Sequence, residues 1–143
     1  MSHTTPALLS KSTPVLAVAA IEPALAFWAR LGLEQTVGVP EQHERPDSRL
    51  GFAILAGHGV ELMYQTTRSI EADLAAAASD RAAFASGAQQ GYLFVKVPDL
   101  DAVCARLEGE SVVMPRRTTF YGATELGYSD RAGNIVVFAQ MED

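Results

Sequence analysis

This chain states one pattern twice. Leu16, Val18, Ile21, Ala24, Leu25 and Trp28 are apolar first at alternate positions and then at helical spacing, and Val95, Val97, Leu100, Val103, Cys104 and Leu107 repeat that order 79 residues later. A strand followed by a helix is therefore predicted once in each half. Gly51-Phe52 and Gly57-His58-Gly59-Val60-Glu61-Leu62 match Gly127-Tyr128 and Gly133-Asn134-Ile135-Val136-Val137-Phe138 at a separation of 76. Each half then reads as strand, helix and strand hairpin. Such a repeat predicts two modules that share one core, with a site where the copies face each other.

At 143 residues and 48% hydrophobic content the chain can bury one core, whereas halves of about 70 residues would be marginal alone. The formal charge of −6 comes without a Lys/Arg stripe, which argues against a nucleic-acid partner and mildly favours cationic ligands. Cys104, the single cysteine, stands at an apolar helical position and reads as a small core residue. With no signal-like segment and no apolar run of about 18 residues, the expectation is a soluble, cytoplasmic protein without a membrane partner.

Residues 1–12 read as a polar, flexible tail, and 13–143 as one domain whose modules cover about 13–65 and 91–140, joined by a helical connection over 66–90. In the first module, strands are expected over 13–18, 33–39, 49–56 and 60–65, and a helix over about Glu22 to Leu31, with Pro23 suited to its first turn and Gly32 to its C-terminal stop. Gly57-His58-Gly59 is a hairpin signal. An Ala-rich helix over 69–84, acidic at its start, fills the connection. The second module is expected to hold strands over 92–97, 112–114, 125–129 and 135–140, and a helix opening at Pro98 and closed by Gly109.

Alternation along strands selects the side chains that face away from the helices. If Leu93, Val95 and Val97 cover the helix, Tyr92, Phe94 and Lys96 point the other way. Glu61, Met63 and Gln65 share such a face, as do Thr13, Val15 and Ala17, and Ile135, Val137 and Ala139. Phe120, Tyr121 and Glu125 follow on a loop and the strand after it. These aromatics with a few polar tips suit a planar organic ligand. Trp28, at the position of Leu107 in the repeat, reads as core.

The runs Thr13-Pro14-Val15-Leu16-Ala17-Val18 and Ala26-Phe27-Trp28-Ala29-Arg30-Leu31-Gly32-Leu33, with Tyr121-Gly122-Ala123-Thr124-Glu125 and Ser129-Asp130-Arg131-Ala132-Gly133-Asn134, resemble the vicinal-oxygen-chelate superfamily of glyoxalases, extradiol dioxygenases and fosfomycin- and bleomycin-resistance proteins. The resemblance implies an α+β fold of two βαβββ modules curled around a cleft, usually in a homodimer, with Phe120 and Tyr121 on a loop folded over that cleft. It also implies metal-ligand positions in the enzymes of the superfamily, which fall here on Thr13, Glu61, Tyr92 and Val137. Only Glu61 of these suits a divalent cation, where about three N, O or S donors are needed. His3, His43 and His58 fall in the tail, a loop and a turn, so no metal or other cofactor is expected.

The reading that follows is a metal-free protein of the bleomycin-resistance type, a homodimer that sequesters an aromatic or cationic small molecule. Its binding residues would be Glu61, Met63, Gln65, Tyr92, Phe94, Lys96, Phe120, Tyr121, Glu125 and Val137. Glu61 has a plainer role open to it, as a strand-end carboxylate held by water, Lys96 or Arg49. Two alternatives stand beside this reading. One is a glyoxalase-like lyase or isomerase acting through an enolate, with Glu61 as general base and Lys96 as electrostatic stabiliser, or a dioxygenase-family enzyme using Glu61. The other is a structural or regulatory dimer with a vestigial cleft.

Overall fold

A computed structural model describes residues 7–76 and 90–142. The first half runs β1 (Val15–Val18), α1 (Glu22–Ala29), β2 (Glu34–Pro40), β3 (Leu50–Gly57) and β4 (Val60–Thr66). After α2 (Thr67–Ala76), the second half runs β5 (Tyr92–Lys96), α3 (Leu100–Arg106), β6 (Val112–Thr118), β7 (Ala123–Ser129) and β8 (Ile135–Met141). The first four strands form sheet A in the order β1-β4-β3-β2, and the last four form sheet B in the order β5-β8-β7-β6. In both, the first strand of the half pairs in parallel with the last, and the other pairs are antiparallel. This is the α+β fold of two βαβββ units that the family resemblance implies, and it contains the strand, helix and hairpin that the repeat predicts in each half.

Local chemistry fixes the elements. Pro23 sits in the first turn of α1, and Gly32 closes it at φ +88° while the Leu33 amide returns to the Trp28 carbonyl. The α3 helix starts later than Pro98 because the Asp99 side chain caps it, accepting from the Ala102 amide at 3.2 Å. His58 and Gly59, both at positive φ, make the two-residue turn between β3 and β4. Strand β6 continues past the expected 112–114 through Pro115, which an edge strand with an irregular register accommodates. The connecting helix is seen over Thr67–Ala76, and the remainder of its expected span, 77–84, lies outside the described residues.

One core joins both halves. Leu16, Phe27, Trp28, Leu55 and Tyr64 from the first pack with Leu100, Leu107, Tyr128, Val136 and Phe138 from the second. Trp28 meets Phe138 edge-on across the halves at 6.2 Å between ring centroids, and each such buried side chain stabilises by about 1.5–3 kcal/mol. A polar chain crosses the same boundary. The Trp28 indole donates to the Tyr64 hydroxyl at 2.8 Å, which donates to Asp130 Oδ2 at 2.7 Å. Burial, reinforced by the Asp130 charge, pushes the Tyr64 phenol well above its ordinary range. At the surface Glu110 takes Arg30 of the first half and Arg131 of the second, and these guanidiniums hold its carboxyl below the ordinary value. Gly91 packs where the halves meet. A Cβ there would stand 2.7 Å from Leu16 and 2.8 Å from the Asn134 oxygen, and that same oxygen accepts from the Gly91 amide at 2.7 Å.

The second part of the repeat slips in one respect. Phe52 and Tyr128 match in sequence, yet Phe52 lies beside Gln65 on the face away from the core, whereas Tyr128 lies beside Val136 within it. Likewise Tyr92 pairs with Ile135 and Phe94 with Val137, whereas the matching first-half positions Thr13 and Glu61 lie together. The cause is turn length: β3 and β4 close around two residues, β7 and β8 around the five residues 130–134.

Candidate ligand-binding face

The face of sheet B away from the core is ordered in three cross-strand rows. Tyr92, Ile135 and Ser129 form the first; Phe94, Val137, Gly127 and Met114 the second; Lys96, Ala139, Glu125 and Arg117 the third. Because strand neighbours share a face, five expected site residues, Tyr92, Phe94, Lys96, Glu125 and Val137, lie on one surface. Tyr92 is 63% and Phe94 47% exposed, while Val137 is buried as floor. Gly127 leaves that floor without a side chain beside Val137, and a Cβ there would meet Met114 at 2.8 Å. The result is an apolar face that carries two exposed aromatic rings.

Glu125 closes one end. It is 1% exposed, its Oε1 takes Arg117 at 3.0 Å, and its Oε2 takes the Tyr121 hydroxyl. That hydrogen bond to Glu125, with some burial, holds the Tyr121 phenol above its ordinary value, and Glu125 likewise raises the Arg117 guanidinium. Both carboxyl oxygens are committed, so Glu125 positions Tyr121 and Arg117. Arg117 was not among the expected site residues: its nearness to Glu125 depends on the β6–β7 register, which sequence spacing does not disclose. Phe120 lies beside Tyr121, fully exposed and edge-on to it at 5.1 Å.

The other expected residues lie on sheet A. Glu61, Met63 and Gln65 share its outer face with Val15, Ile54 and Phe52. Among the described residues no hydrogen bond or ion pair joins this set to the Tyr92 set. Glu61 is held neither by Lys96 nor by Arg49, as one expectation had it. Its partners are Lys11, from the expected tail, and the Thr13 hydroxyl, each at 2.8 Å. Those two, Lys11 foremost, hold its carboxyl below the ordinary value. Arg49 is occupied by Glu41 and the Ala19 carbonyl. The Gln65 amide donates to Ser69 and Asp73 of α2, so its polar end is spent within the fold.

The positions that the family resemblance assigns to metal ligands carry Thr13, Glu61, Tyr92 and Val137. Val137 offers no donor atom, the Glu61 carboxyl is engaged by a lysine, and among the described residues no three His, Cys, Asp or Glu gather around a common point. This donor set does not fit a catalytic divalent cation.

A model of the family described as the Glyoxalase/Bleomycin resistance protein/Dioxygenase superfamily matches residues 3–138. Among solved structures the chain is similar to a bleomycin resistance determinant encoded on the transposon Tn5, at 17% identity over 94% of this chain and 100% of that chain, with TM-score 0.63. It is similar to the bleomycin-binding protein from bleomycin-producing Streptomyces verticillus complexed with copper(II)-bleomycin, at 20% identity over 95% and 99% of the two chains, TM-score 0.58. It is also similar to lactoylglutathione lyase from Agrobacterium tumefaciens, at 17% identity over 92% of each chain, TM-score 0.64. At these identities the likeness is one of fold. No curated protein is recognisably similar in sequence.

Proposed function

The chain belongs to the Glyoxalase/Bleomycin resistance protein/Dioxygenase superfamily, and we propose that within it this protein is a metal-free binder that sequesters a planar aromatic small molecule. The observation that carries this reading is the outer face of sheet B, where exposed Tyr92 and Phe94 stand beside Val137 and Gly127 and a buried Glu125 fixes Tyr121 and Arg117; on this proposal that face is the trough that takes the ligand. Ring stacking and apolar burial would supply affinity, and Lys96, Arg117 and Tyr121 the orientation. Two proteins of this fold whose names refer to bleomycin are consistent with a ligand of that kind.

The likeness to a lyase favours a second reading, with Glu61 as general base. Its support is weaker. A base working near neutral pH needs its pKa raised towards that pH, and Lys11 and Thr13 shift Glu61 the opposite way. Lys96, the stabiliser in that scheme, lies on the other sheet. Pairing with a second copy belongs to the proposal: the outer row Val15, Met63, Ile54 and Val37 of sheet A, half-buried to exposed, gains from a cover.

A thermal-shift panel of planar aromatic compounds, cationic and neutral and including bleomycin, tests the function. A ligand at 100 times its Kd should stabilise by about 2.7 kcal/mol. A panel in which no compound stabilises the protein contradicts the reading. Light scattering is expected to give twice the 15.3 kDa chain mass, and a monomer mass at every accessible concentration removes the pairing.

A further inference from the structure

A groove of about 720 Å3 runs between the halves on the helix side of sheet B, the side opposite Tyr92 and Phe94, since the alternate residues Val95 and Val97 line it. Its volume falls within the range of about 300–1,000 Å3 usual for small-molecule sites. One wall is the end of α1 and the β3–β4 turn, including Arg30, His58 and Val60. The other wall is a single stripe of α3 with its cap: Asp99, Ala102, Val103 and Arg106 recur at helical spacing and all line the groove. The floor is apolar, with Trp28 and Phe138 beneath the valines.

The charges around this groove run against the acidity of the whole protein. Asp99 is tied to the start of α3 by its hydrogen bond to the Ala102 amide. Arg30 is held by Glu110. Arg106 and Lys96, both lining the groove, have no carboxylate within ion-pair distance among the described residues. An apolar trench with an uncommitted guanidinium at its rim, on a chain of charge −6, is complementary to an apolar body carrying one negative charge and repels a cation.

We propose that this groove is a second binding site, for a small amphipathic carboxylate such as a medium-chain fatty acid. The alkyl chain lies on Val60, Val95, Val97 and Val103, and the carboxylate pairs with Arg106. Lys96 borders this groove as well as the Tyr92–Phe94 face, but the ligand here is an alkyl carboxylate rather than a planar aromatic, so decanoate tests this site apart from the other.

The probe is decanoate, with decylammonium as its charge-reversed counterpart, followed by calorimetry and by the emission of Trp28, the sole tryptophan, which lines the groove. Decanoate is expected to bind saturably with a change in Trp28 emission, and decylammonium not to bind. Arg106→Glu should raise the decanoate Kd about tenfold or more. Ala102→Phe, which fills the groove from the helix wall, should abolish binding, while Arg45→Glu, the same charge change on the distant 40–48 loop, should leave Kd within about twofold. The proposal is overturned if decanoate gives no binding up to its solubility limit, if Arg106→Glu or Ala102→Phe binds it like the unmodified protein, or if decylammonium binds equally well.

Discussion

Asp130→Ala is expected to cost about 3 to 5 kcal/mol of stability, measured by chemical denaturation. Asp130 is wholly buried, and its two carboxyl oxygens satisfy four donors: the Tyr64 hydroxyl, the Ala132 and Asn134 amides, and the Asn134 side-chain amide, all at 2.7–2.9 Å. Removing the group strands donors in a core where an unsatisfied polar atom costs about 1–3 kcal/mol. It also releases the turn at residues 130–134, in which Arg131 and Gly133 are both held at positive φ. Because Tyr64 comes from the other half, the loss should couple to Tyr64→Phe in a double-mutant cycle by about 1 kcal/mol or more. A loss below about 1 kcal/mol for Asp130→Ala would mean that the link from Trp28 through Tyr64 to Asp130 does not hold the halves together.

The second large effect separates neighbours on one strand. Tyr92→Ala should weaken binding of a planar aromatic by about 1 to 3 kcal/mol, since its ring walls the trough. With Tyr92 mostly solvent-exposed, the same change should alter stability by no more than about 0.5 kcal/mol. Leu93→Ala should do the reverse. Leu93 packs against the core from a half-buried position, so the expected loss is about 2 to 3 kcal/mol, near the low end for such truncations, with ligand affinity retained. If Tyr92→Ala destabilised the protein and left affinity intact, strand β5 would face the other way and the trough would not exist.

Much of this was legible in the sequence because the apolar periods are unbroken. The alternation at 92–97 fixed which side of β5 faces the helices, and the spacing from Leu100 to Leu107 fixed α3. What stayed hidden depends on register and on turns. The matched glycine dipeptides align Phe52 with Tyr128, yet a two-residue turn in one half and a five-residue turn in the other send those rings to opposite faces. Pro115 reads as a strand end, but β6 is an edge, where a missing amide hydrogen costs little. Of the candidate site, Tyr92, Phe94, Lys96 and Val137 followed from parity, which also grouped Glu61, Met63 and Gln65 with them although these lie on the other sheet. Arg117 was not foreseeable, since only strand pairing brings it to Glu125. Nor was the pairing of Glu61 with Lys11, whose segment carries no periodic signal.

Whether the outer face of sheet B takes the ligand is tested most directly by amide chemical-shift mapping by NMR with the planar aromatic that binds best in the thermal-shift panel. The predicted result is a cluster of shifts at Tyr92, Phe94, Lys96, Tyr121, Gly127 and Val137 that saturates with the binding isotherm. Saturating shifts centred on Glu61, Met63 and Gln65, with the sheet B residues unmoved, would contradict it.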